Sequence, residues 1–369
     1  MNSLGKLTLA ITPAFRSING VKELVEKLKV HQDLTPAEIK TGLNFLLQEE
    51  EDHDLKIAFL SLLAEKGETA LEMAIFVEVL REKAINPQID LKKCGGILID
   101  VCGTGADRTH TFNISTTSMF VVAGAGVKVA KHGNRSITSL CGGADVLEAM
   151  GMKIDVTTDT LKRQVEEVGL GFLFAPLYHP AFRAIAPLRK ELGALGKRTI
   201  FNYLGPLLNP APLTHQVIGL ADSAMMRKYA EVLRHLGRKR AWLVHGYVDA
   251  EKSAGMDEIS IMGPTEVVEV DGNEIKTTLI EPERYGFKKA HLEDLRGGDA
   301  RTNAEIIESL LKNELKGPMR DVVVINAAAA LLVTGAAGGG TLEEAIMKAE
   351  ESLDSGLALR KLNQLRGLD

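Results

Sequence analysis

Near Pro87 the chain changes its hydrophobic period, and that change limits the possible folds more than any other feature. Over residues 21–83 apolar side chains recur at helical spacing, as Val21, Leu24, Val25 and Leu28 do, and no strand-like run interrupts them. Two capping boxes punctuate the stretch. Thr35-Pro36-Ala37-Glu38 carries proline at the first helical position, and Thr69-Ala70-Leu71-Glu72 opens a helix to about Arg81. Beyond Pro87, short apolar runs at 97–101, 127–130, 171–175, 216–220 and 241–244 read as buried strands, alternating with helices such as 112–125 and 145–150. Such alternation predicts a mostly parallel sheet with helices on both faces. Val and Ile around Asp271-Gly272-Asn273 signal a hairpin over 266–276. Residues 342–369 read as a surface helix and a short tail. The expected fold class is α/β. A small all-helical N-terminal domain over 1–88, completed by helices from about 180–195, precedes a larger α/β domain over 89–369.

Composition narrows the function. A length of 369 residues calls for two lobes, and 45% hydrophobic with 25% charged residues is the balance of a soluble globular protein. The net charge of −5 argues against a general nucleic-acid binder. Cys94, Cys102 and Cys141 form no C-x-x-C pair, which fits a reducing compartment, and the first residues lack the apolar core of a signal peptide. The longest apolar run, 321–338, contains Asn326 and Thr334 and is largely alanine, so it reads as a buried helix rather than a membrane span. The expectation is a cytoplasmic protein with neither nucleic-acid nor membrane partners.

Four segments carry chemistry. Asp100-Val101-Cys102-Gly103-Thr104-Gly105-Ala106-Asp107 places glycines at a strand end, where backbone N–H groups can crowd around an anion. Arg108 stands where a dinucleotide fingerprint needs its third glycine, and no G-x-x-x-x-G-K-[ST] occurs. Asn113-Ile114-Ser115-Thr116 opens a helix whose free N–H groups suit phosphate oxygens, or serves only as an ordinary N-cap. Lys131-His132-Gly133-Asn134-Arg135-Ser136 packs two cations, an imidazole, an amide and a hydroxyl directly after a predicted strand. Lys131 supplies point charge for a phosphate, while Arg135 is equally suited to bracing the loop. Asp257-Glu258 offers adjacent carboxylates, enough for Mg²⁺ when a diphosphate and water fill its other positions.

Together these segments resemble the anthranilate phosphoribosyltransferase family, which carries a Gly-Thr-Gly-Gly-Asp loop, Asn-Ile-Ser-Thr, Lys-His-Gly-Asn-Arg and an Asp-Glu pair in this order. Gly142-Gly143-Ala144-Asp145 and Arg198-Thr199-Ile200-Phe201-Asn202-Tyr203-Leu204-Gly205-Pro206 are also like family segments. The resemblance implies a nucleoside phosphorylase/phosphoribosyltransferase-like fold, usually homodimeric through the helical domain. It implies transfer of phosphoribose from phosphoribosyl diphosphate to anthranilate with Mg²⁺, in tryptophan biosynthesis. Gly103, Thr104, Gly105, Asp107, Thr111, Asn113, Ser115, Thr116, Lys131 and Ser139 fall at phosphoribosyl-diphosphate positions, and Ser115, Asp257 and Glu258 at metal positions. Asn134 and Arg189 fall at anthranilate positions. Lys131, His132 and Arg189 are the expected catalytic groups, with His132 the one candidate for a base.

The chain departs from the family pattern at Ala106, where a second glycine is usual, at Cys141 and Gly143, where serine is common, and in longer connections at 193–197 and 247–254. Ala106 is expected to keep a negative φ. A pyrimidine nucleoside phosphorylase and a non-catalytic nucleic-acid-binding relative are the alternatives. The first has no need of the Asp257–Glu258 pair, and the net charge counts against the second.

Overall fold

The computed structural model describes residues 18–49, 52–105, 107, 109–136, 140–252, 254–336, 338 and 340–368. These residues group into two compact units. The first comprises the described part of Met1–Leu80 together with Ala181–Tyr203, and the second comprises Arg81–Pro180 and Leu204–Asp369. By contacts the first unit closes after Leu80, and its returning segment runs to Tyr203.

The first unit is helical: α1 (Ile18–Lys29), α2 (Pro36–Leu46), α3 (His53–Lys66), α4 (Ala70–Glu82, whose last residues fall in the second unit) and α9 (Ala186–Ala194). Both predicted capping boxes form. Thr35 N–H donates to Glu38 Oε2 at 2.8 Å and Glu38 N–H to Thr35 Oγ1 at 3.4 Å; the Thr69 and Glu72 bonds are 2.8 and 3.1 Å. Glu72 also accepts Leu34 N–H and pairs with Lys66, so this buried carboxylate ties three segments together. Phe201 lies edge-on to Phe76 and to Phe182, and His53 meets Glu191 on α9 at 2.7 Å.

In chain order the second unit runs β1 (Ile99–Gly103), α5 (Ile114–Gly124), β2 (Val129–Gly133), α6 (Gly143–Ala149), α7 (Thr158–Arg163), β3 (Leu170–Phe174) and α8 (Ala175–Tyr178). It continues with β4 (His215–Gly219), α10 (Met226–His235), β5 (Arg240–Tyr247), β6 (Gly255–Met256), β7 (Thr265–Asp271) and β8 (Glu274–Ile280). Helices α11 (Ala300–Leu311), α12 (Pro318–Val333), α13 (Leu342–Asp354) and α14 (Leu357–Arg366) complete it. The sheet order is β3-β2-β1-β4-β5-β7-β8, parallel from β3 to β5 and antiparallel beyond, with β6 paired to β5. Alternate strand residues feed the two faces. Ile99, Val101 and Val129 join α5, α12 and the C-terminal helices in the larger core, while Leu98, Ala130 and Leu173 pack with Leu161, Val165 and Tyr178.

Two expectations need correction. Residues 342–369 form two helices, not one: Gly356, at φ +75°, ends one and starts the next, and Leu353, Ala358, Leu362 and Leu365 are buried. The strand predicted at 127–130 lies at Val129–Gly133, so Lys131 and His132 are strand residues in register with Phe172 and Leu173 rather than part of the following turn. The apolar run at 321–338 supplies α12, buried from Val322 to Val333, and among the described residues no helix is long and apolar enough to cross a membrane.

Candidate active site

In the order 3-2-1-4-5 the chain leaves β1 toward β2 and β3, then returns to place β4 on the other side of β1. Loops leaving β1 and β4 therefore diverge, opening the crevice that parallel sheets use for ligands. Residues after β6 run across this crevice. A Cβ on Gly219, at the end of β4, would sit 1.5 Å from the Asp257 carbonyl oxygen, and one on Gly103 would sit 2.5 Å from Asp257 Oδ2. Only glycine at these two strand ends lets the carboxylate segment lie so close. The Gly105 N–H, presented by a backbone at φ +67°, donates to Asp257 Oδ2 at 2.5 Å, and Thr104 Oγ1 donates to the same oxygen at 3.3 Å.

Glu258 points to the start of α5, where its Oε1 accepts Ser115 N–H at 3.1 Å. Lys131, 4% exposed, reaches beneath from β2 and donates to Val101 O at 2.5 Å and Ser115 Oγ at 3.2 Å. Burial raises the Asp257 carboxyl well above its usual range, helped by the negative charge of Asp107. Burial and the neighbouring Asp257 raise Glu258 likewise, with Lys131 opposing. Three carboxylates thus face one ammonium. That surplus of buried negative charge fits a divalent cation. Among the described residues no group of three His, Cys, Asp or Glu is arranged to chelate a metal alone.

Gly103, Thr104, Gly105, Asp107, Ser115, Lys131, Asp257 and Glu258 thus come together as one cluster. The carboxylate pair, which shows no structural partner in the sequence, is in fact held by three described donors. Other predicted residues flank the cluster. Thr111 bridges to Arg296, Thr116 is buried, and Asn134 is exposed with its Oδ1 accepting Arg135 N–H. Asn113 stands at the N-cap of α5 but makes no capping bond; its amide donates to Cys141 O at 3.1 Å and accepts from Asn303 at 2.9 Å. Ser139 and Ala106, with the φ expected for it, lie outside the described residues, as does Ser253 of the 247–254 connection. Arg189 belongs to the first unit, on α9. It is half-buried, burial lowers its pKa, and it makes no ion pair among the described residues.

His132 is buried with Nε2 unpartnered, edge-on to His179 at 5.2 Å between ring centres. Burial, with His179 and Lys131 nearby, lowers its pKa to about 3. Two polar residues outside the predicted set support this strand. Asp100, fully buried, accepts His132 N–H at 3.3 Å and Asn209 Nδ2 at 2.9 Å, and Asn209 also donates to Ala130 O at 2.8 Å. A carboxylate inside an apolar strand run was the available signal for Asp100. Arg135 braces the following loop by pairing with Asp145 and Glu148, while Asp145 also accepts Ser136 and Gly142 N–H at 2.9 Å.

A Gly-Thr-Gly loop, a helix start, a buried lysine and a carboxylate pair meeting at a sheet crevice belong with the glycosyl transferases. A family profile described as the glycosyl transferase family, a/b domain, matches residues 95–359, and the helical bundle domain of the same family matches 22–84. An anthranilate phosphoribosyltransferase of Methanocorpusculum labreanum is 44% identical over 345 residues, covering 94% of this chain and 97% of its own. The crystal structure of anthranilate phosphoribosyltransferase from Thermus thermophilus superposes with a TM-score of 0.83 at 35% identity, covering 93% of this chain and 98% of that one. The Saccharomyces cerevisiae enzyme in complex with PRPP and Mg gives 0.82 at 26% identity, covering 96% and 98%. This chain belongs to the anthranilate phosphoribosyltransferase family.

Proposed function

We infer that the chain transfers the phosphoribosyl group of 5-phosphoribosyl 1-diphosphate to the amino group of anthranilate. The products are N-(5-phosphoribosyl)anthranilate and pyrophosphate, in a step of tryptophan biosynthesis. The carrying observation is the Asp257–Glu258 pair seated on the Gly-Thr-Gly loop and facing Lys131, with more buried negative charge than the protein neutralises. Family membership supports the same reaction.

In the displacement, the bond from C1′ to the diphosphate oxygen breaks and the amine nitrogen bonds to C1′. The amine proton passes to water, and the carbon carries oxocarbenium character on the way. Mg²⁺, when bound, supplies counter-charge to the departing pyrophosphate. The side chains do the rest. Asp257, Glu258 and Ser115 would hold the metal. Gly103, Thr104, Gly105 and the start of α5, with Asp107, Thr111, Asn113, Thr116 and Ser139, line the place of the phosphoribosyl diphosphate. Lys131 adds fixed positive charge beneath it. Arg189 grips the anthranilate carboxylate, for which a planar guanidinium is well suited, and Asn134 helps to receive the same substrate. His132, the expected candidate base, is too weakly basic to hold a proton at neutral pH and serves as a neutral polar wall.

We also place the boundary between helical and α/β domains near residue 88, with helices of about 180–195 belonging to the former. The protein is assigned to the cytoplasm as a homodimer formed through the helical domain; light scattering on the purified chain tests the assembly. The reaction is tested by loss of anthranilate fluorescence on adding phosphoribosyl diphosphate and Mg²⁺. Loss only with all three components supports the reading, and no loss with all three present overturns it.

A further inference from the structure

From Val322 to Val333 every residue of α12 is buried, and the one polar side chain among them is Asn326. An amide in such surroundings is costly unless its hydrogen bonds are met. They are met almost entirely by one residue. Asn326 Oδ1 accepts Ile259 N–H at 2.9 Å, and Nδ2 donates to Ile259 O at 2.9 Å and to Val322 O at 2.8 Å. Holding both backbone groups of Ile259 is what a neighbouring strand would do, so this residue is fixed in position and in direction.

Ile259 follows directly on Asp257-Glu258. On the far side of the pair, Asp257 is fixed by Gly105 N–H and by its close seat on Gly219. Among the described residues Glu258 has one hydrogen bond, from Ser115 N–H, and it borders a cavity of about 10 Å³ lined also by Ser115, Ser118 and Asn326. That is the space of one water molecule. Without the bonds to Ile259, Glu258 has this space to turn into and loses its direction toward Ser115. We propose that Asn326 is a positioning residue for the Asp257–Glu258 pair, setting the geometry in which the pair receives Mg²⁺; the inference rests on the reading of that pair as metal-facing.

The test uses the full-length protein and three variants. Asn326→Leu keeps the volume and removes the bonds. Val324→Ala makes a comparable disturbance in the same buried helix without removing a hydrogen bond to Ile259. Asp257→Asn with Glu258→Gln removes the pair itself. Binding of Mn²⁺ in the presence of phosphoribosyl diphosphate is followed by the electron paramagnetic resonance of free Mn²⁺, beside the Mg²⁺ dependence of turnover and the melting temperature. Asn326→Leu is expected to weaken Mn²⁺ binding and raise the half-saturating Mg²⁺ concentration at least fivefold, with the anthranilate KM within twofold. Val324→Ala is expected to leave both metal readouts unchanged at a similar loss of melting temperature. Equal metal effects in both helix variants, or none in Asn326→Leu while the carboxylate variant loses Mn²⁺, overturn the role of Asn326 alone. Unaltered Mn²⁺ binding in the carboxylate variant overturns the metal reading beneath it. Should Asn326→Leu not fold, Asn326→Ser replaces it, judged by the same fivefold criterion.

Discussion

Two neighbouring strand ends handle charge in opposite ways. Where the segment after β6 crosses the end of β1, Asp107, Asp257 and Glu258 gather around a single ammonium, and burial with neighbouring negative charge raises both members of the pair. After β2, Arg135 is exposed and matched by Asp145 and Glu148, whose charges balance it on the spot. The second arrangement closes a loop. The first is costly within the protein alone, and its compensation has to come from a ligand. Unbalanced buried charge marks the site; balanced exposed charge marks the fold. Arg189 is the positive counterpart in the other unit, a half-buried arginine with no carboxylate paired to it among the described residues.

The contrast fails most visibly if the unbalanced charges are dispensable. Asp257→Asn with Glu258→Gln should lower turnover by about a thousandfold, on the order of 4 kcal/mol of lost transition-state stabilisation. The drop should be seen by anthranilate fluorescence at limiting Mg²⁺, and turnover near that of the parent would end the argument. Next in size is Arg189→Ala. Loss of a charge-assisted pair worth about 2 kcal/mol should raise the anthranilate KM roughly 10- to 100-fold. The KM for phosphoribosyl diphosphate should stay within about twofold, since the site inferred for it lies in the other unit. A rise in both constants together would point to a structural role.

The buried histidines sharpen the contrast from a third side, because they are kept neutral. Burial, with neighbouring cations, lowers His132 to about 3 and His179 and His215 to about 4. Unfolded, each charges below about pH 6.5, so the unfolded state binds more protons than the folded one, and stability falls as pH drops through 6.5 toward 4. From pH 7.5 to 6.0 the loss should be about 2 kcal/mol, read from urea midpoints. The raised carboxylates act in the opposite direction, so the measurement belongs in the Asp257→Asn, Glu258→Gln variant. A flat profile there would contradict neutral burial. The smallest effect should come from Arg135→Gln, which breaks only exposed pairs and should cost at most about 1 kcal/mol with unchanged turnover.

The sequence made the sheet legible because strand runs and helical periods are local patterns, and the order of the four chemical motifs carried the family. Positions of side chains across the crevice were less accessible. Lys131 was expected in a turn, because a lysine in a buried strand is improbable until Val101 O and Ser115 Oγ are seen beneath it. Asp257 looked partnerless, since its donors at Gly105 and Thr104 lie about 150 residues earlier. Asn113 was placed on phosphate by its motif, yet its amide is engaged by Cys141 and Asn303, contacts that no spacing announces. The break at Gly356 in the C-terminal helices was missed for a simpler reason: a lone glycine in a helical pattern is usually tolerated.

The helical unit has a further consequence, one of timing. Its segments are separated in the chain by residues 81–180, which belong to the other unit. At synthesis rates of about 5–20 residues per second, the first helices emerge roughly 5–20 s before the segment that brings Phe182 and Phe201 to Phe76. Until then Phe76 lacks the ring that packs edge-on against it. Residues 18–80 made alone should lack that contact permanently and melt at a lower temperature than the same helices in the whole chain.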